Sequence, residues 1–543
     1  VDTIGNTNSI KYNEFGNISM SANSSEIIQY EYLGGSLRDR LSSVRKYTIS
    51  NNTTNLVYEK NVVYDENDRL SYHTIVIGTN SYAMGLQYDV YGRISTLIYP
   101  SAFAVQYEYT DAGYIAGLHN RPGYFGPPWN RTNPNTNSSD RFYWKILLLN
   151  LMGQLSLATV GVGLIEKKYN SFGLETSSIT RCWIDNETKY LQNDEYAYDV
   201  SGNLLKHGFA LNVPAALEDV RAYDLYSYDS LNRLSSVDQY GGGQCNGPHN
   251  YDLITKNLMR KGSNIELVYG DIKHPGAVTE VRQAGTSQWS GFYDEKGRLV
   301  RHLGINGSSG KYSYDPLDRM TQMSMDNTET SQTVKCQYDE SNSKLQILDN
   351  DGVTYRMFGG LYEVSSGESF SERHYVPGIS PTIYLRSSEM PDREVYLHLD
   401  RRNSVEVVTD RDCRVLERYS YDAWGARRSL ASANPPGSLI SGDYTRRGFT
   451  GGDHFDEYGL IDMNARLYSP LSGQFNSVDP LGDGYKYCLN NPVNYIDPSG
   501  LDGIAVTGTL SGVEIFASQL SGFDLFDPEG GVRYFNSGFN EVF

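Results

Sequence analysis

A short signature recurs along the chain and restricts the folds that are open to it. Tyr is followed by Asp or Asn, or occasionally Thr, then by a turn usually containing Gly or Asn, and commonly by Arg-Leu or a similar pair. Self-similarity of this kind is typical of a repeat array, in which each unit needs its neighbours to bury an apolar face. Eleven copies start at Tyr12, Tyr64, Tyr88, Tyr109, Tyr169, Tyr198, Tyr228, Tyr293, Tyr314, Tyr338 and Tyr421.

Each copy predicts a β-hairpin. Tyr favours a pleated, half-buried strand, the Asp side chain can bond the backbone two residues on and start a turn, and Gly or Asn supplies positive φ. We expect tyrosines of neighbouring hairpins to stack as a ladder on one sheet face. Chance pairing in a chain with 44 tyrosines is the alternative, and the shared continuation disfavours it. The signature therefore predicts an all-β, turn-rich protein.

Charge and cysteine content narrow the function classes. The formal net charge of -18 argues against nucleic acid as a partner of this chain, because phosphates require a basic surface. The first residues have neither a basic region nor an apolar region of a signal peptide. Single, scattered cysteines indicate no disulfide framework and no zinc pattern, and they favour folding in a reducing cytosol. They are Cys182, Cys245, Cys336, Cys413 and Cys488.

One uncharged segment has the length of a membrane span. Residues 146–165 are rich in Leu, Ile and Val, but Asn150, Gln154 and several glycines interrupt them. We interpret the segment as a buried strand-turn-strand unit rather than a transmembrane helix. Pro- and Asn-rich residues 119–141 and residues 431–444 are expected to form irregular loops.

The last part of the repeat region contains the most specific motif. Residues 466–480 read RLYSPLSGQFNSVDP, and residues 487–501 read YCLNNPVNYIDPSGL. The two segments place two Asp-Pro pairs, at Asp479 and Asp497, before a Gly-Leu stop. Packing alone rarely requires such a string.

These repeats and this motif resemble the Rhs/YD-repeat family, which includes bacterial polymorphic toxins, the C component of insecticidal toxin complexes and, more distantly, teneurins. The likeness covers residues 1–501. It includes an Rhs-associated core with YLHLDRRNSVEVVTD from Tyr396, YSYDAWGARR from Tyr419 and RRGFTGGDHFDEYGLIDMNARLYSP from Arg446.

The resemblance implies a fold and a division into three regions. The implied fold is a sheet of hairpins that spirals into a hollow cocoon-like shell, plugged by the core domain, with a C-terminal toxin inside. Residues 1–375 would form the repeat shell, residues 376–501 the Rhs-associated core, and residues 502–543 the start of the variable toxin region. The tail is too short to be a complete toxin enzyme, and its apolar residues are expected to line the inner wall.

The resemblance also implies self-cleavage after Leu501, at the Leu501-Asp502 bond. Asp479 and Asp497 would be the acid pair, and Arg466 would support them. The chemistry is sound because two close carboxylates share a proton, so one can activate water while the other protonates a carbonyl oxygen. Without the family, capping of turns before proline is the favoured role of both aspartates.

Other constellations carry less weight. His454 lies among Asp453, Asp456 and Glu457, but we favour an acidic turn over a metal site there. We expect His398 and Asp400 to serve packing or a turn. Neither glycine-rich stretch, at 161–163 or 241–243, completes a phosphate-binding motif. We predict no cofactor and no metal.

The resulting function prediction is a toxin-delivery shell that releases its own C-terminal cargo by aspartyl autoproteolysis. Its partners would be that toxin segment, a secretion-system or toxin-complex component, and an immunity protein. The protein would be made in the bacterial cytoplasm and then secreted or delivered into a target cell. Two alternatives remain: a teneurin-like adhesion or carbohydrate-binding scaffold, and the C half of an insecticidal toxin complex that needs a partner half-shell.

Overall fold

The computed structural model describes most of the chain and confirms the all-β prediction. No α-helix occurs among the residues it describes, and none of the helices there has the length and apolarity that crossing a bilayer requires. The described residues are 9–50, 53–120, 142–184, 187–209, 222–239, 245–326, 331–367, 370–428, 444–480, 482, 484–501 and 503–506.

Strands follow one another as antiparallel neighbours in two large sheets. In each sheet, every strand pairs with the next one along the chain, as expected of consecutive hairpins. The first sheet contains β1 (Ser9–Tyr12), β2 (Ile18–Ala22), β3 (Glu26–Tyr32), β4 (Leu41–Ser50), β5 (Thr53–Tyr64), β6 (Leu70–Ile77), β7 (Asn80–Tyr88), β8 (Ile94–Ile98), β9 (Ala104–Tyr109), β10 (Ile115–Asn120), β11 (Phe142–Leu149), β12 (Leu155–Val160), β13 (Gly163–Tyr169), β14 (Glu175–Ile184), β15 (Glu187–Tyr198), β16 (Leu204–Phe209), β17 (Ala222–Tyr228), β18 (Leu234–Gln239) and β19 (Gly247–Pro248).

The second sheet continues the same meander, and two small sheets follow it. The second sheet contains β20 (Asn250–Tyr251), β21 (Leu258–Lys261), β22 (Ile265–Val268), β23 (Glu280–Gln283), β24 (Thr286–Tyr293), β25 (Leu299–Gly304), β26 (Ser309–Tyr314), β27 (Met320–Asp326), β28 (Ser331–Tyr338), β29 (Lys344–Asp349), β30 (Gly352–Met357), β31 (Tyr362–Gly367), β32 (Phe370–Val376), β33 (Thr382–Ser387), β34 (Arg393–Leu399), β35 (Val405–Asp410) and β36 (Val415–Arg418). The small sheets contain β37 (Asp453–Phe455), β38 (Leu460–Asp462), β39 (Leu467–Ser469) and β40 (Gln474–Phe475), then β41 (Tyr495–Ile496) and β42 (Ile504–Ala505). Short 3-10 helices span Gly35–Leu37, Ile305–Gly307, Phe449–Gly451, Asp456–Tyr458 and Cys488–Asn490.

The hairpin turn after Tyr64 shows why the signature is built as it is. Oδ1 of Asp65 accepts hydrogen bonds from the backbone N–H groups of Asn67 and Arg69, both at 2.9 Å. Its Oδ2 pairs with Nη2 of Arg69 at 2.6 Å. Asp68 takes the left-handed conformation, with φ of 60°. The Asp therefore closes the turn through its own side chain, as the sequence predicts.

Successive hairpins are linked by the repeat tyrosines, whose hydroxyl groups bond to carbonyls of the preceding hairpin. The hydroxyl of Tyr88 donates to the Leu70 carbonyl of the preceding hairpin at 2.8 Å, and Arg69 lies 4.3 Å from the centre of the Tyr88 ring. The same link recurs from Tyr314 to the Leu299 carbonyl at 2.9 Å. The tyrosine ladder thus runs through hydroxyl–carbonyl bonds and cation–π contacts.

The two sheets pack on each other as successive turns of a spiral. Bridging contacts advance along both sheets together: Arg319 bonds Glu26 at 2.8 Å, and the Tyr99 hydroxyl donates to the Tyr375 carbonyl at 2.7 Å. Further along, Nε1 of Trp144 donates to the Pro377 carbonyl at 2.9 Å. Residues of both sheets share one hydrophobic core. This arrangement makes the sheets a curled shell rather than two separate domains.

A disulfide between Cys182 and Cys413 crosses this spiral seam. It corrects the expectation of scattered, unpaired cysteines. The two residues are 231 positions apart, so only the curling of the sheet brings them together and no local pattern announces the pair. Cys245, Cys336 and Cys488 are free and buried.

Several sequence predictions can be compared directly with these elements. Residues 146–165 form the end of β11, then β12 and the start of β13, which confirms the strand-turn-strand interpretation. The predicted division at residue 375 lies within β32, and the three-region division stays a prediction. The predicted loop cores, 121–141 and 431–443, and tail residues 507–543 lie outside the described part of the chain, as does the stretch 241–243.

The two small sheets lie within the predicted Rhs-associated core, called the core domain below, and this region packs against the large sheets at several points. Nζ of Lys344 in β29 pairs with Asp462 at 2.6 Å. The hydroxyl of Tyr485 donates to the Gly297 carbonyl in a shell turn at 2.7 Å. These contacts fix the segment that carries the two Asp-Pro pairs.

Candidate active site at the two Asp-Pro turns

The fold brings Arg466, Asp479 and Asp497 together in one buried cluster. Nη2 of Arg466 lies 2.9 Å from Oδ2 of Asp479 and 3.7 Å from Oδ2 of Asp497. All three side chains are at most 4% exposed. One guanidinium nitrogen therefore faces both carboxyl groups, although the aspartates are 18 residues apart in sequence.

Arg466 occupies its position because backbone and aromatic groups surround it. Its Nε donates to the Gly500 carbonyl, and Nη1 donates to the Gly484 carbonyl at 3.3 Å. The guanidinium carbon lies 3.7 Å from the centre of the Phe475 ring. A fixed fork of donors in this environment has the geometry that favours Arg over Lys.

Asp497 opens a tight turn that ends at Leu501. Its Oδ1 accepts from the Leu501 N–H at 3.0 Å and from the Ser499 hydroxyl at 3.1 Å. The Gly500 N–H donates to the Asp497 carbonyl at 3.4 Å. The Asp497 carboxyl is thus bonded to the residue that supplies the predicted scissile carbonyl.

Gly500 is required by this turn for two reasons. Its φ of +72° belongs to the left-handed region, and a Cβ built there would lie 2.3 Å from the Met463 carbonyl oxygen. Both conditions disfavour any side chain. The close approach of two backbone segments at Gly500 keeps Leu501 next to Asp497.

Asp479 is positioned by the short segment that links it to Tyr485. The Asp479 N–H donates to the Gly484 carbonyl at 2.8 Å, and the Gly482 N–H donates to the Asp479 carbonyl at 3.2 Å. The segment from Asp479 to Tyr485 is short, and its length is compatible with the position of Asp479 beside Arg466.

Burial affects the carboxyl group and the thiol of this site in the same direction. It raises the pKa of Asp497, and the charge of Arg466 only partly opposes that rise. Asp497 is therefore easier to protonate than an exposed carboxyl group. Burial also raises the pKa of the nearby Cys488 thiol well above its ordinary value, and the Asp497 carboxyl adds to that rise. A neutral buried thiol is a poor nucleophile.

The chain beyond Leu501 stays in contact with the core domain over residues 503–506. β42 pairs with β41 through Ile496 opposite Ile504 and Tyr495 opposite Ala505. The Val506 N–H donates to the Asn494 carbonyl at 2.7 Å, and Val506 is buried. Asp502 itself lies outside the described residues.

Sequence reasoning missed how the Asn-rich loop anchors this site to the shell. Oδ1 of Asn494 accepts from the Leu204 N–H at 2.9 Å, and Nδ2 of Asn491 donates to the Asn232 carbonyl at 2.6 Å. Leu204 begins β16 just after a repeat turn, and Asn232 lies in the next repeat turn. The loop also contains three successive left-handed residues, Cys488, Leu489 and Asn490. The density of Asn between Asn490 and Asn494 was the available signal, because Asn side chains both donate and accept.

The weaker candidates make contacts typical of structural residues. Asp453 pairs with Arg356 at 2.5 Å, and Nε2 of His454 accepts from the Phe449 N–H at 3.0 Å. His398 bonds the Thr409 hydroxyl at 2.9 Å. Asp400 accepts from the Ser404 N–H at 2.8 Å, as a repeat-turn Asp does.

Comparison with known proteins identifies the repeats. The RHS Repeat family model matches residues 293–330, which contain two copies of the signature with β26 between them. The chain contains an RHS repeat. Relatives of this chain include tRNA3(Ser)-specific nuclease WapA of Bacillus spizizenii, 27% identical over 274 residues that cover 46% of this chain and 11% of WapA. Toxin protein Tse5 of Pseudomonas aeruginosa is 23% identical over 349 residues, which cover 56% of this chain and 25% of Tse5.

Solved structures share the fold of the RHS-repeat shell. The Tc holotoxin pore of Photorhabdus luminescens, with a TccC3 variant, matches with a TM-score of 0.65 at 14% identity, over 93% of this chain and 27% of that one. The TcdB2-TccC3 structure without its hypervariable C-terminal region matches with a TM-score of 0.60 at 15% identity, over 91% and 27%. The chain therefore has the β-cocoon fold of Tc toxin shells, and it spans only a fraction of the length of the proteins it matches.

Proposed function

We propose that this chain is a toxin-delivery shell that encloses a C-terminal toxin and cuts itself between Leu501 and Asp502. The observation that carries the proposal is the placement of Arg466, whose Nη2 faces both Asp479 and Asp497 while its Nε holds the Gly500 carbonyl. A buried acid pair is thereby joined to the backbone just before the scissile bond.

The two aspartates take different roles in the proposed reaction. Asp479 is ion-paired with Arg466, so its carboxylate acts as the base that takes a proton from water. Asp497, whose pKa is raised by burial, protonates the Leu501 carbonyl oxygen as that water attacks the carbonyl carbon.

Collapse of the tetrahedral diol completes the step. The proton held by Asp479 passes to the Asp502 nitrogen as the C–N bond breaks. A diol hydroxyl proton returns to Asp497 as the carbonyl reforms. One water is consumed, Leu501 gains a free carboxyl group, and Asp502 gains a free amino group. Each carboxyl group ends in the state in which it began.

Cleavage by this route separates the covalent link without ejecting the cargo. The pairing of β41 with β42 and the burial of Val506 involve residues on both sides of the cut. We expect the new N-terminal segment to stay docked after hydrolysis. Release then requires opening of the shell, as in delivery of the toxin to a target cell.

A second candidate is the C component of a toxin complex. Structures that contain TccC3 match this chain over more than nine-tenths of its length. In that case a partner half-shell would close the cocoon. Co-purification with a TcdB2-like partner, giving a stable complex on size exclusion, would favour this role, and a shell that protects its cargo from protease unaided would count against it.

The catalytic proposal is tested by following the intact mass of the purified 543-residue chain over time. Asp479→Asn and Asp497→Asn should each stop cleavage, since each removes one of the two proton-transfer groups. Reaction in H₂¹⁸O should place one ¹⁸O atom in the new Leu501 carboxyl group, because water is the nucleophile.

The matched control is Asp453→Asn. Asp453 is also a buried aspartate of the core domain and is paired with Arg356, but it does not contact the Leu501 turn. It should leave cleavage intact. Cleavage that continues in both dyad variants, or a Leu501 carboxyl group without ¹⁸O, would contradict the mechanism.

A further inference from the structure

A second polar cluster lies at the spiral seam, away from the Asp-Pro turns. Asp194 in β15 and His207 in β16 belong to the first sheet, and Glu406 in β35 belongs to the second. One ligand atom from each of the three side chains lies within 4.8 Å of the other two. They line a cavity of about 30 Å³, which is enough room for a water-sized species.

The aspartate in this cluster is unsatisfied. Oδ1 of Asp194 lies 3.2 Å from Nε2 of His207, and the Asp194 side chain is 2% exposed. Its Oδ2 is buried and has no hydrogen-bond partner. Leaving a buried carboxylate oxygen unpaired is costly, so an occupant of the cavity would stabilise this side chain.

Three arginines line the cavity wall, and two of them are paired with other acids. Asp224 is paired with Arg428 at 2.5 Å, and Asp400 with Arg402 at 3.2 Å. Arg418, the third, donates to the Leu191 carbonyl at 3.1 Å and also attracts Asp194 and Glu406.

Glu406 receives a hydrogen bond from the Gln192 amide at 2.5 Å and faces Asp194. Two facing carboxyl groups need either a shared proton or a cation.

We propose that Asp194, His207 and Glu406 bind one divalent transition-metal ion, of which Zn²⁺ is the best example. One imidazole and two carboxylates form a ligand set that suits such ions. Zn²⁺ holds these ligands at about 2.0–2.2 Å. Each of the three ligand atoms would therefore need to move toward the ion by less than about 1 Å.

The position gives the ion a structural consequence. It would join β15 and β16 of one spiral turn to β35 of the next, at the same seam that the Cys182–Cys413 disulfide crosses. An ion that binds only the folded shell raises its thermal midpoint, and above the dissociation constant the stabilisation grows with the logarithm of the free ion concentration.

The experiment is calorimetric titration of the full chain with Zn²⁺ in metal-free buffer. We expect one saturable site, a thermal midpoint that rises with Zn²⁺, and at least about tenfold weaker binding in Asp194→Asn and His207→Gln. Circular dichroism checks that each variant is folded, and Glu406→Gln replaces either one that is not. The control is His302→Gln, a buried histidine that bonds the Tyr312 hydroxyl and should leave Zn²⁺ affinity unchanged.

Two results would overturn the proposal. One is the absence of saturable binding by the unaltered chain, which would assign a shared proton to the two carboxyl groups. The other is binding that the ligand variants do not weaken. Co²⁺ absorption supplies a second readout: a thiolate charge-transfer band would place the metal at a free cysteine and reject this site.

Discussion

Two Asp turns of the same chain, one in the shell and one in the core domain, use a carboxyl group in opposite ways. In both, Oδ1 of the Asp accepts from the N–H four residues on: Arg69 for Asp65 and Leu501 for Asp497. In the shell turn the fourth residue is itself the arginine that pairs with Oδ2. In the core turn it is a leucine, and the arginine comes from elsewhere.

The different source of the arginine goes with a different pKa of the carboxyl group. The hydrogen bond from Arg69 lowers the pKa of Asp65, whereas burial raises the pKa of Asp497. A local arginine makes a permanent ion pair and a stable turn. A shared, more distant arginine leaves a carboxyl group whose acid form is accessible, which is what proton donation requires.

The largest effect that sharpens this comparison is expected from Arg466→Lys. A lysine keeps one positive charge but loses the fork that reaches both carboxyl groups and the Gly500 carbonyl. Self-cleavage should slow by about 10²–10³-fold, by analogy with loss of a charge-stabilising donor. Intact-mass time courses measure the rate. Arg69→Lys in the shell turn is the control and should cleave normally; equal slowing in both variants would remove the distinction.

Gly500→Ala tests how strictly the core turn is positioned. The added methyl group would meet the Met463 carbonyl oxygen, and the residue would have to hold a φ of +72°. We expect cleavage to fall by about 10²-fold, because displacement of the Leu501 carbonyl misaligns the acid pair.

The matched change is Gly92→Ala, in the repeat turn after Tyr88. There φ is +81° but the nearest atom is the Arg69 guanidinium at 3.6 Å. This variant should lose only about 1–2 kcal/mol of folding free energy, measured by urea unfolding, and retain full cleavage. Normal cleavage by Gly500→Ala would show that the tight turn is not needed.

Asp497 and Asp65 should also give opposite pH dependences, the first in the cleavage rate and the second in folding stability. Asp497 has a raised pKa and must donate a proton, so cleavage should slow as pH rises through that pKa, by up to about tenfold per unit. Asp65 has a lowered pKa, so its contribution to stability is present above its unfolded value of about 3.9 and is lost as pH falls through the folded value. Cleavage rates and urea midpoints across a pH series measure both. A cleavage rate that climbs steadily with pH would contradict the role of Asp497.

The smallest effect is expected from Asp65→Asn. Asn keeps the acceptor for the turn but loses the ion pair with Arg69, which is partly exposed. We expect a loss of about 1 kcal/mol or less in urea unfolding and no change in cleavage. A much larger loss would mean that a single repeat turn controls the stability of the whole shell.

How much of this was predictable follows from the range of the interactions. The hairpins were predicted because Asp65, Asp68 and Arg69 act within one turn. Direct stacking of tyrosines was predicted but not confirmed. A hydroxyl bond such as that from Tyr88 to the Leu70 carbonyl links the hairpins, and such a bond cannot be read from the spacing of the tyrosines. Arg466, Asp479 and Asp497 were named through family resemblance, and their geometry required the fold.

Longer-range features had no local signal. Cys182 and Cys413 meet only because the sheet curls, and the same curling brings Glu406 to Asp194 and His207. The anchoring of Asn494 to a repeat turn likewise joins segments far apart in sequence. Hydrophobic and β-turn patterns specify the strands. Contacts between successive turns of the spiral depend instead on how many residues each turn of the spiral contains.

The most direct measurement of the central claim is to map the ends of the fragments from the purified chain by intact mass and N-terminal sequencing. We predict one break in the unaltered chain, with a carboxyl end at Leu501 and an amino end at Asp502. The Asp497→Asn variant should show no such break. An unaltered chain that stays uncut, under conditions where the control Asp453→Asn is folded, would contradict this prediction. So would a break at Asp479-Pro480 or Asp497-Pro498, the bonds that simple acid chemistry would cut.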